Sequence, residues 1–258
     1  MSEQKSAAER QHANRVREMF ATIASRYDLL NHLLSANIDK RWRRLVATQL
    51  RDELGSGKKR ILDVACGTGD LSLTLFEFTE AQIIATDFCR PMLAIAARKT
   101  LDRQVPIRLV EGDALSLPFR DQSFDAVTIG FGLRNLAAVD DGLKELLRVL
   151  RPGGSIAVLE FSKSRTPVVR ALFQFYFTKV LPLMGGAISG SRSAYTYLPN
   201  SVRSFPDQDE LATLMSKVGF VEVSYENLSG GIAALHLGKR SEIGFEGLVA
   251  AEAGDLKM

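Results

Sequence analysis

Apolar positions along this chain recur with two alternating periods. Short, nearly continuous apolar runs near residues 60–65, 82–87, 107–112, 124–130 and 155–161 predict buried strands. Between them, apolar residues repeat every three or four positions over 70–79, 91–103 and 140–151, the signature of helices with one covered face. Such alternation specifies a parallel sheet with helices on both sides. After a further helical stretch at 207–218, the runs FVEVSYENL and GIAALHLGK flank Ser229-Gly230 and predict an antiparallel hairpin. Upstream, residues 10–26 carry Val16, Met19, Phe20 and Ile23 on one stripe, and residues 39–54 carry Trp42, Leu45, Val46 and Leu50. The predicted class is therefore α/β: a Rossmann-like, seven-stranded, mostly parallel sheet with a C-terminal antiparallel hairpin, an N-terminal helical extension and a helical lid insertion. The expected divisions are an extension at 1–57, a sheet domain at 58–240 containing a lid at 162–206, and a loose tail at 241–258.

The strongest local signal is LDVACGTGD at 62–70, where a buried strand breaks into a turn through Gly67 and Gly69 and then opens a helix. Glycine lets the backbone approach a ligand there, because no Cβ intervenes. The next strand, AQIIATD, ends in Asp87, placed to accept hydrogen bonds from ribose hydroxyls. A dinucleotide site wants a third glycine and a helix start that welcomes pyrophosphate. Here Ser72 takes that glycine's place and Asp70 opens the helix, which favours a ligand with a cationic aminoalkyl chain. The pattern resembles motif I of the class I S-adenosylmethionine-dependent methyltransferases. That resemblance implies cofactor contacts from Asp63, Gly67, Thr68 and Gly69, and from Asp113 and Ala114 after the third strand, beside adenine. Phe119 and Phe124 are expected beside the same crevice, and RVLRPGGSIAVLEFS reads as a helix end closed by Pro152-Gly153-Gly154 and followed by a strand.

Composition fits an ordinary folded domain: of 258 residues, 46% are hydrophobic and 24% charged, enough to bury a full core. The N-terminus shows no apolar stretch of a secretory signal, so a cytoplasmic location is expected. Cys66 and Cys89 read as small packing residues rather than a disulfide. The net charge of +3 hides an asymmetry. Residues 1–60 hold 13 Lys/Arg against 7 Asp/Glu, and the remainder 20 against 23. A basic face of this kind suits an anionic lipid surface or nucleic acid, or is simply solvated. The stretch TPVVRALFQFYFTKVLPLMGGAIS is apolar but too interrupted by Arg170, Gln174, Lys179 and Pro182 to span a bilayer. It is expected to cap a greasy substrate or rest on a membrane surface.

Blocks beyond the nucleoside-binding core sharpen the reading. Tyr27-Asp28-Leu29-Leu30-Asn31 with Ser35 and Trp42 resembles the N-terminal signature of the ubiquinone/menaquinone biosynthesis C-methyltransferase family, and RVLRPGGSIAVLEFS its second signature. GFGLRN at 130–135 and YTYLPNSVRSFP at 195–206 are similar to further family blocks, so the resemblance covers residues 16–240. It departs at Leu30, Asp39, Gly130 and Arg151; at Gly130 a side-chain contact to the cofactor would be missing.

The resemblance implies transfer of a methyl group from S-adenosylmethionine to a ring carbon of a polyprenylated hydroquinone, as in demethylmenaquinol to menaquinol. Carbon attack needs an electron-rich, partly ionised ring, so the enzyme must align the reactants and stabilise a phenolate oxygen. Arg134 is the first candidate for that electrostatic role; a guanidinium is a poor general base but can stabilise the phenolate or orient a water. Asn135, Tyr27, Asn31, Tyr195 and Tyr197 are candidates to hold the ring. No metal is expected, since His12, His32 and His236 lack ligand spacing. The expected partners are the quinol and transiently the inner membrane face, not nucleic acid; a homodimer is admitted but nothing specifies one. The benzoquinol precursor of ubiquinone is the alternative substrate, followed by an unrelated small molecule or RNA. An amino-methylating nucleic-acid enzyme usually carries Asn/Asp-Pro-Pro-aromatic where this chain has GFGLRN, and a dehydrogenase is disfavoured by Asp70. The intact acidic and glycine set argues against a non-catalytic binding module.

Overall fold

The computed structural model describes residues 7–28, 31, 35, 37–175 and 192–242. Seven strands form one sheet in the order β3-β2-β1-β4-β5-β7-β6. The parallel strands are β1 (Arg60–Val64), β2 (Gln82–Asp87), β3 (Arg108–Glu111), β4 (Phe124–Gly130) and β5 (Leu150–Phe161). β6 (Phe220–Leu228) and β7 (Ala233–Arg240) complete the sheet, with β7 antiparallel to both of its neighbours. The strand order reverses between β1 and β4, and the crevice at such a point, beyond the carboxyl ends of the strands, is where open α/β sheets hold ligands.

The described helices are α1 (Ala7–Ile23), α2 (Ile38–Leu54), α3 (Asp70–Phe78), α4 (Arg90–Asp102), α5 (Val139–Val149), α6 (Pro167–Phe175), α7 (Arg192–Ser204) and α8 (Gln208–Val218). On one face of the sheet, Trp42, Val46 and Leu50 of α2 pack with Leu71 and Leu75 of α3 against Ile61 and Ile83. On the other, Leu143 and Leu146 of α5 and Leu211 and Met215 of α8 pack against Leu62, Val127 and Ile156. The start of α8 is fixed by a capping box: Asp207 accepts from the amides of Asp209 and Glu210, and Glu210 accepts from the Asp207 amide.

Three expectations change. Pro152-Gly153-Gly154 does not close a helix; α5 stops at Val149 and these residues form an irregularity inside β5. Phe124 pairs with Leu150, and the ladder then resumes at Ala126 opposite Ser155, so the extra residues bulge. A Cβ on Gly154 would lie 2.8 Å from the Arg151 carbonyl, which explains the glycine. Phe119 and Phe124 pack edge to face, centroids 5.1 Å apart, in the core rather than beside the crevice. On α1 only Val16 of the predicted stripe is buried; Met19, Phe20 and Ile23 face a cavity instead. Of the expected lid, residues 176–191 lie outside the described residues, as do residues 243–258 of the expected tail.

Candidate active site

After β1 the chain turns through Ala65 to Gly69 and opens α3 at Asp70. Gly67 and Gly69 adopt φ +56° and +83°, where a side chain is disfavoured. A Cβ on Gly69 would sit 3.2 Å from that of Ala96, so the turn rests directly on α4. Asp87 holds the turn from the end of β2: one carboxylate oxygen accepts the Gly67 amide at 2.8 Å, the other the Cys89 amide at 2.8 Å. Burial pushes the Asp87 carboxyl pKa up, and these amide bonds oppose the rise. Each oxygen retains lone-pair capacity, so the carboxylate can also accept from a vicinal diol. Asp113 and Ala114 form the far side of this crevice, with Asp113 Oδ1 accepting the Leu115 amide at 2.9 Å. Ala13, Phe20 and Tyr27 of the N-terminal extension wall its remaining side. Small residues (Ala65, Ala114, Gly130), an open glycine turn and a strand-end carboxylate suit an adenosine group chemically.

Other motif residues serve the turn itself. Asp63 is fully buried and accepts from the hydroxyls of Ser72 and Thr128; burial pushes its pKa up to about 6. The Thr68 hydroxyl donates to Asp28, so it is directed at the extension. Asp70 does not stand as a bare negative charge: Lys99 reaches it at 2.6 Å and Arg43 at 3.5 Å. Lys99 also pairs with Asp28 at 2.6 Å, and Arg43 with Asp39, which accepts from Ser35 at 2.6 Å. This chain of charges ties the extension to α3 and α4. At Gly130 the bare backbone faces both cavities, and a Cβ there would come 3.1 Å from Leu71 Cδ2.

Beside the crevice lies a larger cavity of about 480 Å³, the scale of a small-molecule site. The two share Phe20, Tyr27, Ala65, Gly67, Gly130 and Phe131 as a common wall. A row of rings lines the larger chamber: Trp42 to Phe131 at 5.9 Å, Phe131 to Phe161 at 4.8 Å and Phe161 to Phe173 at 6.2 Å. Of the residues predicted to act on the ring, Tyr27, Asn31, Arg134 and Tyr197 border it, as do Asp63, Gly67, Thr68 and Gly130 of the expected cofactor set. Burial raises the Tyr27 phenol pKa, and the neighbouring Asn31 side chain opposes the rise. Tyr197, whose pKa burial also raises, donates to Asn135 Oδ1 at 3.0 Å, and Asn135 in turn donates to the Phe131 carbonyl at 3.1 Å. The side chain of Tyr195 lies outside the described residues.

Arg134 is neither exposed nor in a surface ion pair. Its Nη1 lies 2.9 Å from each oxygen of Glu160 and also donates to the Phe131 carbonyl, while the guanidinium sits over the Phe161 ring. Glu160, 1% exposed, further accepts the amides of Arg134 and Phe161. Burial raises its carboxyl pKa and the guanidinium opposes the rise. Sequence reasoning missed Glu160, Asp28 and Lys99. An available signal for Glu160 was the lone acid inside the apolar strand SIAVLEF, because a buried charge requires a partner.

Residues 7–240 match the ubiE/COQ5 methyltransferase family. The chain belongs to that family. It is 51% identical to a demethylmenaquinone methyltransferase of Thermus thermophilus, over 86% of this chain and 100% of the relative. Identity to the Deinococcus radiodurans protein of the same name is 46%, over 87% and 92%. A ubiquinone/menaquinone biosynthesis C-methyltransferase of Geotalea uraniireducens is 43% identical, over 88% and 96%. Among solved structures, an S-adenosylmethionine-dependent methyltransferase of Thermotoga maritima, a possible histamine N-methyltransferase, superposes with a TM-score of 0.60. At 19% identity, with 88% of this chain and 100% of that one covered, it speaks to the Rossmann-like methyltransferase fold alone. Family membership makes the protein an S-adenosylmethionine-dependent methyltransferase.

Proposed function

We propose that this enzyme methylates a ring carbon of a polyprenylated hydroquinone, converting demethylmenaquinol to menaquinol. The observation that carries the reading is the adjacency of two cavities: an apolar, ring-lined chamber shares six lining residues with the crevice at the glycine turn, and a buried guanidinium lies at its edge. S-adenosylmethionine supplies an electrophilic methyl group. Asp87 binds the ribose hydroxyls, Asp113 and Ala114 border the adenine, and Gly67, Gly69 and Gly130 keep backbone rather than side chain against the ligand. Arg134 favours the ionised quinol by holding positive charge near its oxygen, which makes the ring carbon a better nucleophile. Tyr27, Asn31, Asn135 and Tyr197 orient the ring, and Tyr195 remains a candidate for the same task. No metal takes part in this scheme. The names of the relatives with the highest identity quoted above support a naphthoquinol over a benzoquinol. The deciding assay supplies S-adenosylmethionine with short-chain reduced quinols of both kinds. A methylated naphthoquinol is expected, and no methylation of it would sink the reading.

We also propose that the enzyme meets a lipid surface from which its substrate is taken. Among the described residues no helix is long and apolar enough to cross a membrane. Val168 and Phe175 of α6 are exposed, and the extension carries the basic excess. Co-sedimentation with anionic vesicles should therefore rise with anionic lipid and fall with salt, screening acting over about 8–10 Å at physiological ionic strength. Absence of binding at low salt would leave α6 as a cover only.

A further inference from the structure

We infer that Glu160 is the positioning residue that aims Arg134, pinning one guanidinium nitrogen so that another, Nη2, is presented to the quinol oxygen. The inference rests on the proposed quinol chemistry and deepens it. Arg134 and Glu160 have side chains 6% and 1% exposed, so their pairing is not a solvated surface contact. Among the described residues, every hydrogen bond that the side chain makes passes through Nη1: to both Glu160 oxygens and to the Phe131 carbonyl. Nε is closed off and makes no hydrogen bond among the described residues, whereas Nη2, which also makes none there, is not closed off and belongs to a side chain that borders the chamber. A donor left unmet by protein beside a cavity has capacity for an acceptor on a ligand.

The placement of Glu160 itself is over-determined. Its oxygens also accept the backbone amides of Arg134 at 3.3 Å and Phe161 at 2.9 Å, so the carboxylate is fixed at the end of β5 before it meets the guanidinium. The Phe161 ring lies under the guanidinium, 5.2 Å from its central carbon, and restricts the remaining tilt. A guanidinium is a planar fork, so fixing one nitrogen and the plane fixes the direction of the other two. Three features thus determine where the unspent donors point, and none of them is substrate.

A double-mutant cycle tests this. Glu160→Gln should lower quinol turnover by about tenfold to a hundredfold, the scale of a misplaced group. Calorimetric affinity for S-adenosylhomocysteine should stay at the wild-type value, which also reports folding. In the Arg134→Ala background, adding Glu160→Gln should change turnover by less than about twofold, because Glu160 acts only through Arg134. The double variant should also melt above Arg134→Ala alone, since the single change leaves a buried carboxylate unpaired. Glu160→Asp, which keeps the charge, should retain more activity than Glu160→Gln and serves if the latter is poorly folded. Wild-type turnover in Glu160→Gln, or losses that multiply through the cycle, would overturn the positioning role and leave the quinol reading standing. Wild-type turnover in Arg134→Ala would instead remove the arginine from the chemistry, and the inference with it.

Discussion

The nucleoside crevice and the ring-lined chamber share a wall but are built from different materials. The crevice is framed by a glycine turn and the ends of β1, β2 and β3, with the Asp87 carboxylate fixed by two amides and Phe20 and Tyr27 of the extension closing one side. The chamber is side chains gathered from distant places: Tyr27 and Trp42 upstream of the sheet, Arg134 after β4, Phe161 at the end of β5, and Phe173 and Tyr197 from the region between β5 and α8. A crevice framed by one turn and neighbouring strand ends depends on that turn, whereas a chamber of dispersed side chains can be retuned residue by residue. The first suits a ligand common to many methyltransferases, the second a substrate that differs among them.

Arg134→Ala makes the sharpest cut between the two. It should lower turnover about 10² to 10³-fold, the range for one preorganised charge-stabilising donor, while leaving cofactor affinity unchanged. Lysine should restore only part of the loss, because it keeps charge without the fork. Steady-state kinetics beside calorimetry would show whether the two sites separate this way. A parallel fall in cofactor affinity would erase the distinction.

Asp87→Ala is the converse experiment. Loss of ribose hydrogen bonds to a charged group should weaken S-adenosylmethionine binding by roughly 1.5–3 kcal/mol. The Gly67 amide also loses its acceptor, so part of the effect is a loosened turn. Unchanged affinity in a folded variant would remove Asp87 from the cofactor contacts. Tyr197→Phe should cost less, about 0.5–1.5 kcal/mol of transition-state stabilisation, since one neutral hydrogen bond to Asn135 is lost. Quinol kcat/KM reads it; an effect confined to cofactor binding would place the residue on the wrong side of the wall.

A last set of effects concerns pH and bears on folding rather than on either ligand. Asp63 has its pKa raised from 3.8 to about 6, so the folded state holds its proton more tightly than the unfolded chain does. Its contribution to stability therefore grows as pH falls from about 6 toward 3.8, and is lost as pH rises. His236 is buried, with its pKa held below 6.5, and acts with the opposite sign: stability falls as pH drops below 6.5. Wild-type melting hides these opposed slopes. The difference in melting temperature between Asp63→Asn and wild type should be more favourable to the variant at pH 7.5 than at pH 4.5, and a pH-independent difference would refute the assignment.

The contrast between the two sites also explains what could be read in advance. Gly67, Gly69 and Asp87 stand close in sequence because a turn and two neighbouring strands make them neighbours, so their spacing carries the geometry. Phe119 and Phe124 misled because an apolar residue near a motif has no address; burial in the core and lining a crevice need the same chemistry. Arg134 was recognisable by its place after β4, but its partner Glu160 lies 26 residues away on β5, and pairing across strands leaves no local pattern. Asp28 belongs to the block Tyr27–Asn31, yet its bonds to Thr68 and Lys99 depend on how the extension folds back.

Because Phe20, Tyr27, Ala65, Gly67, Gly130 and Phe131 line both cavities, a donor in one and an acceptor in the other would rest against the same six residues. Each ligand, once seated, becomes part of the other's surroundings. Their affinities are then linked, and linkage is symmetric: whatever factor the cofactor adds to quinol binding, the quinol must add to cofactor binding. The demethylated cofactor, lacking both the methyl group and the sulfonium charge, would exert a different factor, so methyl transfer itself alters how firmly the finished quinol is held.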